Sequence, residues 1–221
     1  CSSFLGKRGD RIRIRPDRSG LRAYLAVAGG RKVPLVMGSR STCLKGGFGG
    51  LEGRPLRKGD IIETEAPIGH FSPKQLDPKY IPRYGHTLRL RVVLGPQDNH
   101  FLTERLLEAP FEISPRSDRM GIRLEGGRIP LREGFSSSII SEPVIPGAIQ
   151  VTPDGSPLII LGEQTMGGYA KIATVIYPDL PLLSQARPGD KVSFISVGLE
   201  EAQRLYCEYL RDLEALKRNL I

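Results

Sequence analysis

Short apolar runs, none longer than a single strand, constrain this sequence more than any other feature. Runs such as 88–94, 158–161 and 192–197 are rich in β-branched residues and are bounded by Gly, Pro, Asp or Ser. The 221 residues include 26 Gly and 18 Pro, more of both than an average chain carries, so many turns are expected. This spacing predicts a mainly β protein, built as a barrel or a sandwich.

Further strands are predicted at 12–14, 23–27, 111–113, 147–151 and 173–176 by the same criteria. Helix signals are few. A long amphipathic helix is predicted over 199–221 and is expected to pack on the sheet. Its apolar stripe contains Leu199, Ala202, Leu205, Tyr209, Leu213, Leu216 and Leu220. A shorter periodic stretch at 101–107 predicts a second helix.

One turn motif recurs, in which a basic residue is followed by any residue and then by Gly-Asp. It occurs at 7–10, 57–60 and 187–190, each time before an apolar run. Gly supplies a positive φ and Asp a local side-chain hydrogen bond, so each copy predicts a tight turn that leads into a strand. Two related β units follow if the copies reflect duplication; turn chemistry alone explains them equally well.

The organisation predicted along the chain has four parts. Residues 1–66 form a first β unit, residues 67–86 a linker rich in Pro, Lys and Tyr, residues 87–198 a second β unit, and residues 199–221 the C-terminal helix.

Several function classes lose support from composition and motifs. The net charge of +8 is spread along the chain without interleaved aromatic residues, so we expect no nucleic-acid partner. The apolar runs are too short to span a membrane. Three widely spaced cysteines, Cys1, Cys43 and Cys207, favour free thiols in a reducing cytoplasm. The first residues, which lack Met and a secretory signal pattern, are interpreted as the start of a fragment or processed chain.

Common catalytic signatures are also missing from the sequence. No phosphate-binding Gly-rich motif occurs, so we expect another chain to bind ATP if ATP is consumed. His70, His86 and His100 do not have metal-ligand spacing, and no nucleophile-elbow motif is present, which argues against catalytic zinc and hydrolase triads.

The densest polar segment lies at 163–171, directly after a strand that looks buried. Glycines there let the backbone approach a ligand, Gln and Thr read amide or carboxylate groups, and Lys stabilises an anion. The alternative is a long hairpin loop that uses Gly for its turn geometry.

Three more polar clusters are candidates. Residues 114–126 carry arginines able to bind a carboxylate, or alternatively form an Arg–Asp bridge in a turn. Residues 95–101 have the composition of a turn that starts a helix. Residues 38–42 place Arg40 among hydroxyl side chains, next to the Gly-rich loop at 46–50.

Taken together, these runs resemble one family in order along nearly the whole chain. The matching segments are 22–60, the Gly-Pro-Gln-Asp turn at 95–98, Ser-Asp-Arg-Met-Gly at 117–121, Pro-Gly-Ala-Ile-Gln at 146–150 with Pro-Asp-Gly at 153–155, and Gln-Thr-x-Gly-Gly-Tyr at 164–169. They are similar to the KipA family, whose members are also known as allophanate hydrolase subunit 2, biotin-dependent carboxyltransferase or the C subunit of 5-oxoprolinase. Ala170 and Met166 depart from its usual Pro and Thr.

The resemblance implies a cyclophilin-like β-barrel over 87–198 and an incomplete first β unit over 1–66, because such proteins begin further upstream. It also implies partner subunits, a KipI-like B subunit and an A-type subunit, and a small amide substrate. The leading hypothesis is the C subunit of an ATP-dependent 5-oxoprolinase, which is expected to be inactive without its partners. Alternatives are a biotin-dependent carboxyltransferase acting on urea or a similar amide, and a regulator that binds a KipI-like kinase inhibitor.

Site residues follow from the polar clusters and the resemblance together. Gln164, Thr165 and Lys171 are predicted to bind or polarise the amide carbonyl, and Arg119 and Arg123 to bind the substrate carboxylate. Substrate contacts are also predicted for a further set: Ser117, Asp118, Gly167, Gly168, Tyr169 and Arg40.

Overall fold

The computed structural model describes residues 2–14, 20–65, 71–162 and 164–220. The chain divides into two compact units. Unit 1 comprises Arg13–Arg22 and Leu76–Ile221, and unit 2 comprises Ser2–Ile12 and Ala23–Gln75. Within the described ranges, no helix has the length and apolar character needed to cross a membrane.

Unit 1 is built on a closed barrel of seven strands. The described part of unit 1 contains nine strands in all: β1 (Thr87–Leu94), β2 (Phe111–Ile113), β3 (Gly121–Glu125), β4 (Ser138–Pro143), β5 (Ala148–Val151), β6 (Pro157–Ile160), β7 (Met166–Tyr169), β8 (Lys171–Val175) and β9 (Lys191–Ser196). The barrel order is β1-β8-β5-β6-β3-β2-β9, and β4 and β7 form a separate two-stranded sheet, here called the ribbon. Strands β9 and β1 pair in parallel and the other barrel pairs are antiparallel.

Three α-helices accompany the strands: α1 (Glu104–Glu108), α2 (Leu180–Leu183) and α3 (Leu199–Leu220). Short 3-10 helices lie at Pro78–Tyr80, Asp98–His100 and Tyr177–Asp179. The mainly β class, the barrel and the C-terminal helix predicted from the sequence are confirmed.

Strand β1 illustrates how the barrel separates its inner and outer faces. Leu88, Leu90 and Val92 are buried in the barrel core, whereas Arg89 between them is exposed. Each buried aliphatic side chain of this size contributes about 2 kcal/mol by leaving water. The largest fully buried side chains are Phe101, Phe111, Leu90, Leu106, Ile113, Ile122, Leu124, Ile129, Ile149, Ile159, Ile160 and Ile172. The barrel interior is therefore a packed apolar core.

The strands predicted at 12–14 and 23–27 are wrong, since neither described segment forms a strand. Ile12 and Leu25 are more than half exposed, and the described part of unit 2 contains isolated bridges in place of ladders. A run with strand composition needs a neighbouring strand to hydrogen-bond its backbone, and these runs lack one among the described residues. The relation between two β units stays a prediction.

The recurring Gly-Asp motif forms the same turn at all three places. In each, the Asp carboxylate accepts the backbone N–H of the basic residue three positions earlier, at 2.7, 2.6 and 2.7 Å. Gly9, Gly59 and Gly189 have φ values of 93°, 97° and 89°, which a side chain rarely adopts. The predicted turns are confirmed, but only the copy at 187–190 leads into a strand, β9.

Helix α3 is tied to unit 1 near its start. Ala202 is buried, and the Tyr177 ring makes edge contacts with Tyr206 and Tyr209 at centroid distances of 5.4 and 6.0 Å. From 203 to 218 no residue is buried. The helix prediction is therefore correct in extent, whereas close packing is confined to its first turns.

An ion pair anchors the segment before α2 to the outer face of β1. Asp179 is 3% exposed and accepts the Arg91 backbone N–H at 2.8 Å, Nε at 3.1 Å and Nη2 at 2.5 Å. These hydrogen bonds raise the pKa of Arg91, so its guanidinium stays charged throughout the physiological range.

We predict that Asp179→Ala lowers the free energy of unfolding by about 3 kcal/mol, because the Arg91 guanidinium and backbone N–H both lose their acceptor. Urea denaturation measures the loss. Glu214→Ala, which breaks the exposed Glu214–Lys217 pair of α3, is the control and should change it by less than about 0.5 kcal/mol. Equal effects of the two substitutions would contradict the anchoring role.

Candidate functional site

A β-bulge in β8 sets the direction of Lys171. Ala148 pairs with Thr174 and Ile149 with Ala173, but Gln150 then pairs with Lys171, so Ile172 is the extra residue of β8. Ile172 and Ala173 are consecutive, yet both side chains belong to the barrel core, which the alternation of a regular strand does not allow. The bulge therefore brings Lys171 to the outer face of the barrel, the same face as Gln150.

Lys171 is held there by two polar side chains from other elements. Its Nζ forms an ion pair with Glu142 of β4, and its backbone N–H donates to Gln97 Oε1 at 2.9 Å. Gln97 Nε2 in turn donates to Glu142 Oε1 at 3.3 Å. The three residues form a closed hydrogen-bonded set, which we call the Lys171 cluster.

Gly95 lets the turn after β1 reach this cluster. Its N–H donates to the Ile172 carbonyl at 2.8 Å, and a Cβ at this position would lie 2.4 Å from the Lys171 carbonyl oxygen. Any side chain at 95 would push the turn away from β8, and Gln97 would move away with the turn. The Gly-Pro-Gln-Asp turn thus positions Gln97, which the sequence analysis did not single out.

The charge state of the cluster follows from its hydrogen bonds. The Lys171 side chain is 12% exposed and the Glu142 side chain 40%. The hydrogen bond from Lys171 holds the pKa of the Glu142 carboxyl below its usual range, against a smaller opposing effect of burial, and Gln97 adds to the lowering. The Glu142 carboxyl is therefore ionised near neutral pH.

Gln150 lies beside Lys171 and is 1% exposed. Its Nε2 donates to the Tyr169 carbonyl at 3.2 Å, and its Oε1 is buried without a partner among the described residues. Gly167 of the ribbon covers it, because a Cβ there would lie 2.3 Å from Gln150 Nε2. The ribbon therefore lies on the outer face of β5. Gly167 stands at the position where any side chain would overlap the Gln150 amide.

The segment at 163–171 differs from the loop expected there. Residues 166–169 form β7, and Lys171 begins β8, while Glu163 lies outside the described residues. Glycine is depleted in strands, so the Gly167-Gly168 pair gave no strand signal and β7 was not predicted. Gly168 packs near Ser141 of β4, because a Cβ added at 168 would lie 3.3 Å from the Ser141 hydroxyl oxygen.

The other residues predicted to polarise the amide lie just before β7. Gln164 Nε2 donates to the Met166 carbonyl at 3.0 Å, and the Thr165 carbonyl accepts from the Val144 N–H at 3.0 Å. The Thr165 side chain is exposed. These contacts shape the ribbon, whereas Lys171 and Tyr169 border Gln150.

The residues predicted around 117–121 build the turn that enters β3. Asp118 Oδ1 accepts the N–H groups of Met120 and Gly121 at 2.8 and 3.1 Å, and Ser117 Oγ accepts the Arg123 N–H at 3.0 Å. Arg119 is exposed on this turn. The Met120 carbonyl accepts the Leu161 N–H at 2.8 Å, so the turn lies beside the chain that leads to Gln164.

Arg123 lies on the same outer face as Lys171 but several strands away. Paired residues run Arg123–Leu158–Gln150–Lys171 across β3, β6, β5 and β8. Three strand spacings put the Cα atoms of Arg123 and Lys171 about 14 Å apart. The structure thus places Arg123 and Lys171, one residue from each predicted group, on one face without direct contact between them.

A polar cleft of about 700 Å³ adjoins Arg123. Two arginines of its wall are already paired, Arg116 with Glu125 at 3.3 Å and Arg128 with Asp154 at 2.6 Å. Arg123 has no side-chain partner among the described residues. Of the three, it has the guanidinium most available to an anion.

Arg40 belongs to unit 2. Its Nη2 lies 3.3 Å from Glu65 Oε1, its Nε donates to the Val33 carbonyl at 3.4 Å, and its side chain is about half exposed. These contacts account for its position within unit 2, and its predicted contact with substrate stays a prediction.

No cluster of His, Cys, Asp and Glu suited to a metal ion occurs among the described residues. The polar groups brought together are one ammonium, one carboxylate and two carboxamides. This set suits a small polar molecule carrying carbonyl and N–H groups.

Comparison with known proteins assigns the chain to a family. The family model described as carboxyltransferase domain, subdomain A and B, matches residues 1–196. The chain therefore belongs to the carboxyltransferase domain family, in agreement with the resemblance found in the sequence.

Two bacterial relatives are named as the C subunit of 5-oxoprolinase. That of Escherichia coli K12 is 36% identical over 214 residues, covering 95% of this chain and 67% of the relative. That of Haemophilus influenzae is 32% identical over 203 residues, covering 89% and 63%. The chain thus spans about two thirds of the length of these curated relatives.

The solved structure of Kluyveromyces lactis urea carboxylase is also similar. It superposes with a TM-score of 0.77 at 27% identity, covering 90% of this chain and 20% of that one.

We predict that Lys171→Met raises the pKa of Glu142 toward its ordinary value, because the ammonium that favours the carboxylate is removed. Carboxyl carbon NMR signals followed against pH measure this. Glu125 is the control, since its carboxyl pKa is lowered by Ser114 and Arg116 and should not change.

The lowered pKa of Glu142 also determines how the stability of the fold changes with pH. A carboxyl group whose pKa is lower in the folded than in the unfolded state stabilises the fold at pH values above its unfolded-state pKa. This stabilisation is lost as the pH falls through its folded-state pKa. The stabilisation contributed by the Glu142 carboxylate should therefore be lost in acid, and a Glu142 pKa unaffected by Lys171→Met would contradict the pairing.

Proposed function

We propose that the chain acts as a component of an ATP-dependent 5-oxoprolinase, which opens 5-oxo-L-proline to L-glutamate in the cytoplasm together with A-type and KipI-like B subunits. The observation that carries the proposal is the Lys171 cluster, a fixed ammonium beside a buried carboxamide on the outer face of the barrel. The names of the two bacterial relatives support the substrate.

Lys171 supplies the electrostatic part of amide opening. Attack on the lactam carbonyl places negative charge on its oxygen, and a nearby ammonium that already has fixed partners stabilises that charge without reorganising. Glu142 and Gln97 provide that fixation. ATP would be bound by or with a partner chain, because the sequence has no phosphate-binding motif of the common kinds.

Carboxylate recognition is assigned to arginines near the same face. Arg123 is the better placed, since its guanidinium is unpaired among the described residues and lines the polar cleft. Its Cα lies about 14 Å from that of Lys171 along the strand row, and two long side chains reaching toward each other shorten this span. Arg119, Ser117 and Asp118 stay predicted substrate residues on the neighbouring turn.

The second candidate is carboxyl transfer to urea or a similar amide with biotin as carrier. The family description and the likeness to the urea carboxylase structure favour it. The Lys171 ammonium would then stabilise an oxyanion on biotin or on the transferred carboxyl group. Release of glutamate from 5-oxoproline distinguishes the first function, and biotin-dependent carboxylation of urea the second.

We predict that Lys171→Met reduces 5-oxoproline turnover by the assembled complex at least about 100-fold, as loss of one preorganised charge-stabilising group typically does. Glutamate release is the measurement. Lys191→Met is the matched control, since Lys191 also begins a strand and pairs with a glutamate, Glu112, but its side chain is 58% exposed. Turnover by that variant should stay near wild type.

Two outcomes would contradict the proposal. Near-normal turnover in Lys171→Met would remove the Lys171 cluster from the mechanism. Glutamate release absent from the wild-type complex, together with carboxylation of urea, would replace the oxoprolinase function by the second candidate. A Gln164→Ala variant tests separately whether the segment just before β7 contributes.

A further inference from the structure

The orientation of the Gln150 carboxamide is fixed by its surroundings. The Tyr169 carbonyl accepts a hydrogen bond at 3.2 Å and cannot donate one, so the nitrogen of the amide must face it. The oxygen, Oε1, then points away from that carbonyl. One of the two N–H groups of Nε2 donates to Tyr169, which leaves the second N–H and Oε1 as the remaining hydrogen-bonding groups of the amide.

The unpaired Oε1 is unusual for a residue this deeply buried. Gln150 is 1% exposed, and Oε1 has no partner among the described residues. A buried acceptor left without a donor costs free energy, and native proteins satisfy nearly all such atoms. An exception beside a cluster of polar groups indicates an atom kept for a ligand.

The two remaining hydrogen-bonding groups of Gln150 have a defined chemical complement. It offers one acceptor, Oε1, next to one donor, the second N–H of Nε2. A cis amide presents the opposite pair, a donor N–H next to a carbonyl acceptor, on one edge. Lactams have this edge because the ring forces the amide to be cis, and urea has it as well.

We propose that Gln150 recognises the cis-amide edge of the substrate through two parallel hydrogen bonds, Oε1 accepting the substrate N–H and Nε2 donating to its carbonyl. Lys171, paired opposite Gln150 on the same face, adds its ammonium at the carbonyl side. The inference rests on the proposed function, because it names the substrate class and the group that reads it at that site.

The ribbon controls access to this edge. Gly167 lies over the carboxamide, with an added Cβ 2.3 Å from Nε2 and 3.1 Å from Oε1. Among the described residues, β4 and β7 pair with each other and not with a barrel strand. The part of the ribbon beyond Tyr169 can therefore lift without breaking a barrel ladder, once the contact of Glu142 with Lys171 and Gln97 opens, while Tyr169, next to β8, keeps its hydrogen bond with Gln150.

Binding of minimal amides tests the proposal directly. The probes are 2-pyrrolidinone and its N-methyl derivative, and urea and tetramethylurea, each titrated into the protein while the side-chain amide NMR signals are followed. We expect both N–H compounds to shift the Gln150 signals and to bind at least about tenfold more tightly than their methylated forms. The lactam and urea arms distinguish the two substrate types.

Gln150→Leu should weaken binding of the N–H compounds to the level of the methylated ones, at least about tenfold. Gln203→Leu, a change on α3 remote in sequence from the cluster, is the control and should bind like wild type. The comparison of methylated and unmethylated probes on the wild-type protein needs no variant, so it holds even if Gln150→Leu folds poorly.

The outcomes separate this inference from the proposed function. Equal binding of methylated and unmethylated probes, no binding of any, or unchanged binding in Gln150→Leu each overturns the role of Gln150. If N–H probes bind through Gln150 but the complex releases no glutamate, the oxoprolinase function fails and the amide-reading role stands.

Discussion

Closure of the barrel by the parallel pairing of β1 with β9 is the constraint on which the site depends. Six paired positions, from Thr87 with Lys191 to Val92 with Ser196, complete the ring. The ring encloses a core of packed aliphatic and aromatic side chains, including Phe111 and Phe194 at 5.9 Å between centroids. Because that interior has no room for polar chemistry, ligand recognition in unit 1 is left to the outer face and to what covers it.

Two local departures from regular geometry convert this outer face into a site. The bulge at Ile172 turns Lys171 outward beside Gln150, and the ribbon lies over both with Gly167 at the point of closest approach. Neither a side chain at 167 nor a regular β8 would allow this arrangement. The glycine-rich composition of the segment therefore reflects close packing against a buried amide as well as strand geometry.

Much of the fold could be predicted from local sequence. The Gly-Asp turns, the strands near 88–94 and 192–197, and helix α3 each have a local physical cause, either turn chemistry or apolar periodicity. Strand β7 could not be predicted, because its Gly-Gly pair has a low strand propensity. Strand β4 is mostly exposed and shows no clear alternation.

The site was less predictable because its contacts are long-range. Lys171 was identified as a candidate from its polar segment, but Glu142 is 29 residues away and Gln97 is 74. No local pattern indicates such partners. Gln150 was part of a recognised motif, yet its importance depends on burial and an unpaired oxygen, which only the folded structure reveals.

Hydrogen exchange of ribbon amides tests most directly whether Lys171 holds the ribbon against the outer face of the barrel. In Lys171→Met, the Val144 N–H, which bonds to the Thr165 carbonyl at 3.0 Å, should exchange several-fold faster. The Val197 N–H, which bonds to the Val92 carbonyl at 2.9 Å, should keep its wild-type rate. Unchanged exchange at Val144, or equal acceleration at both amides, would contradict the account.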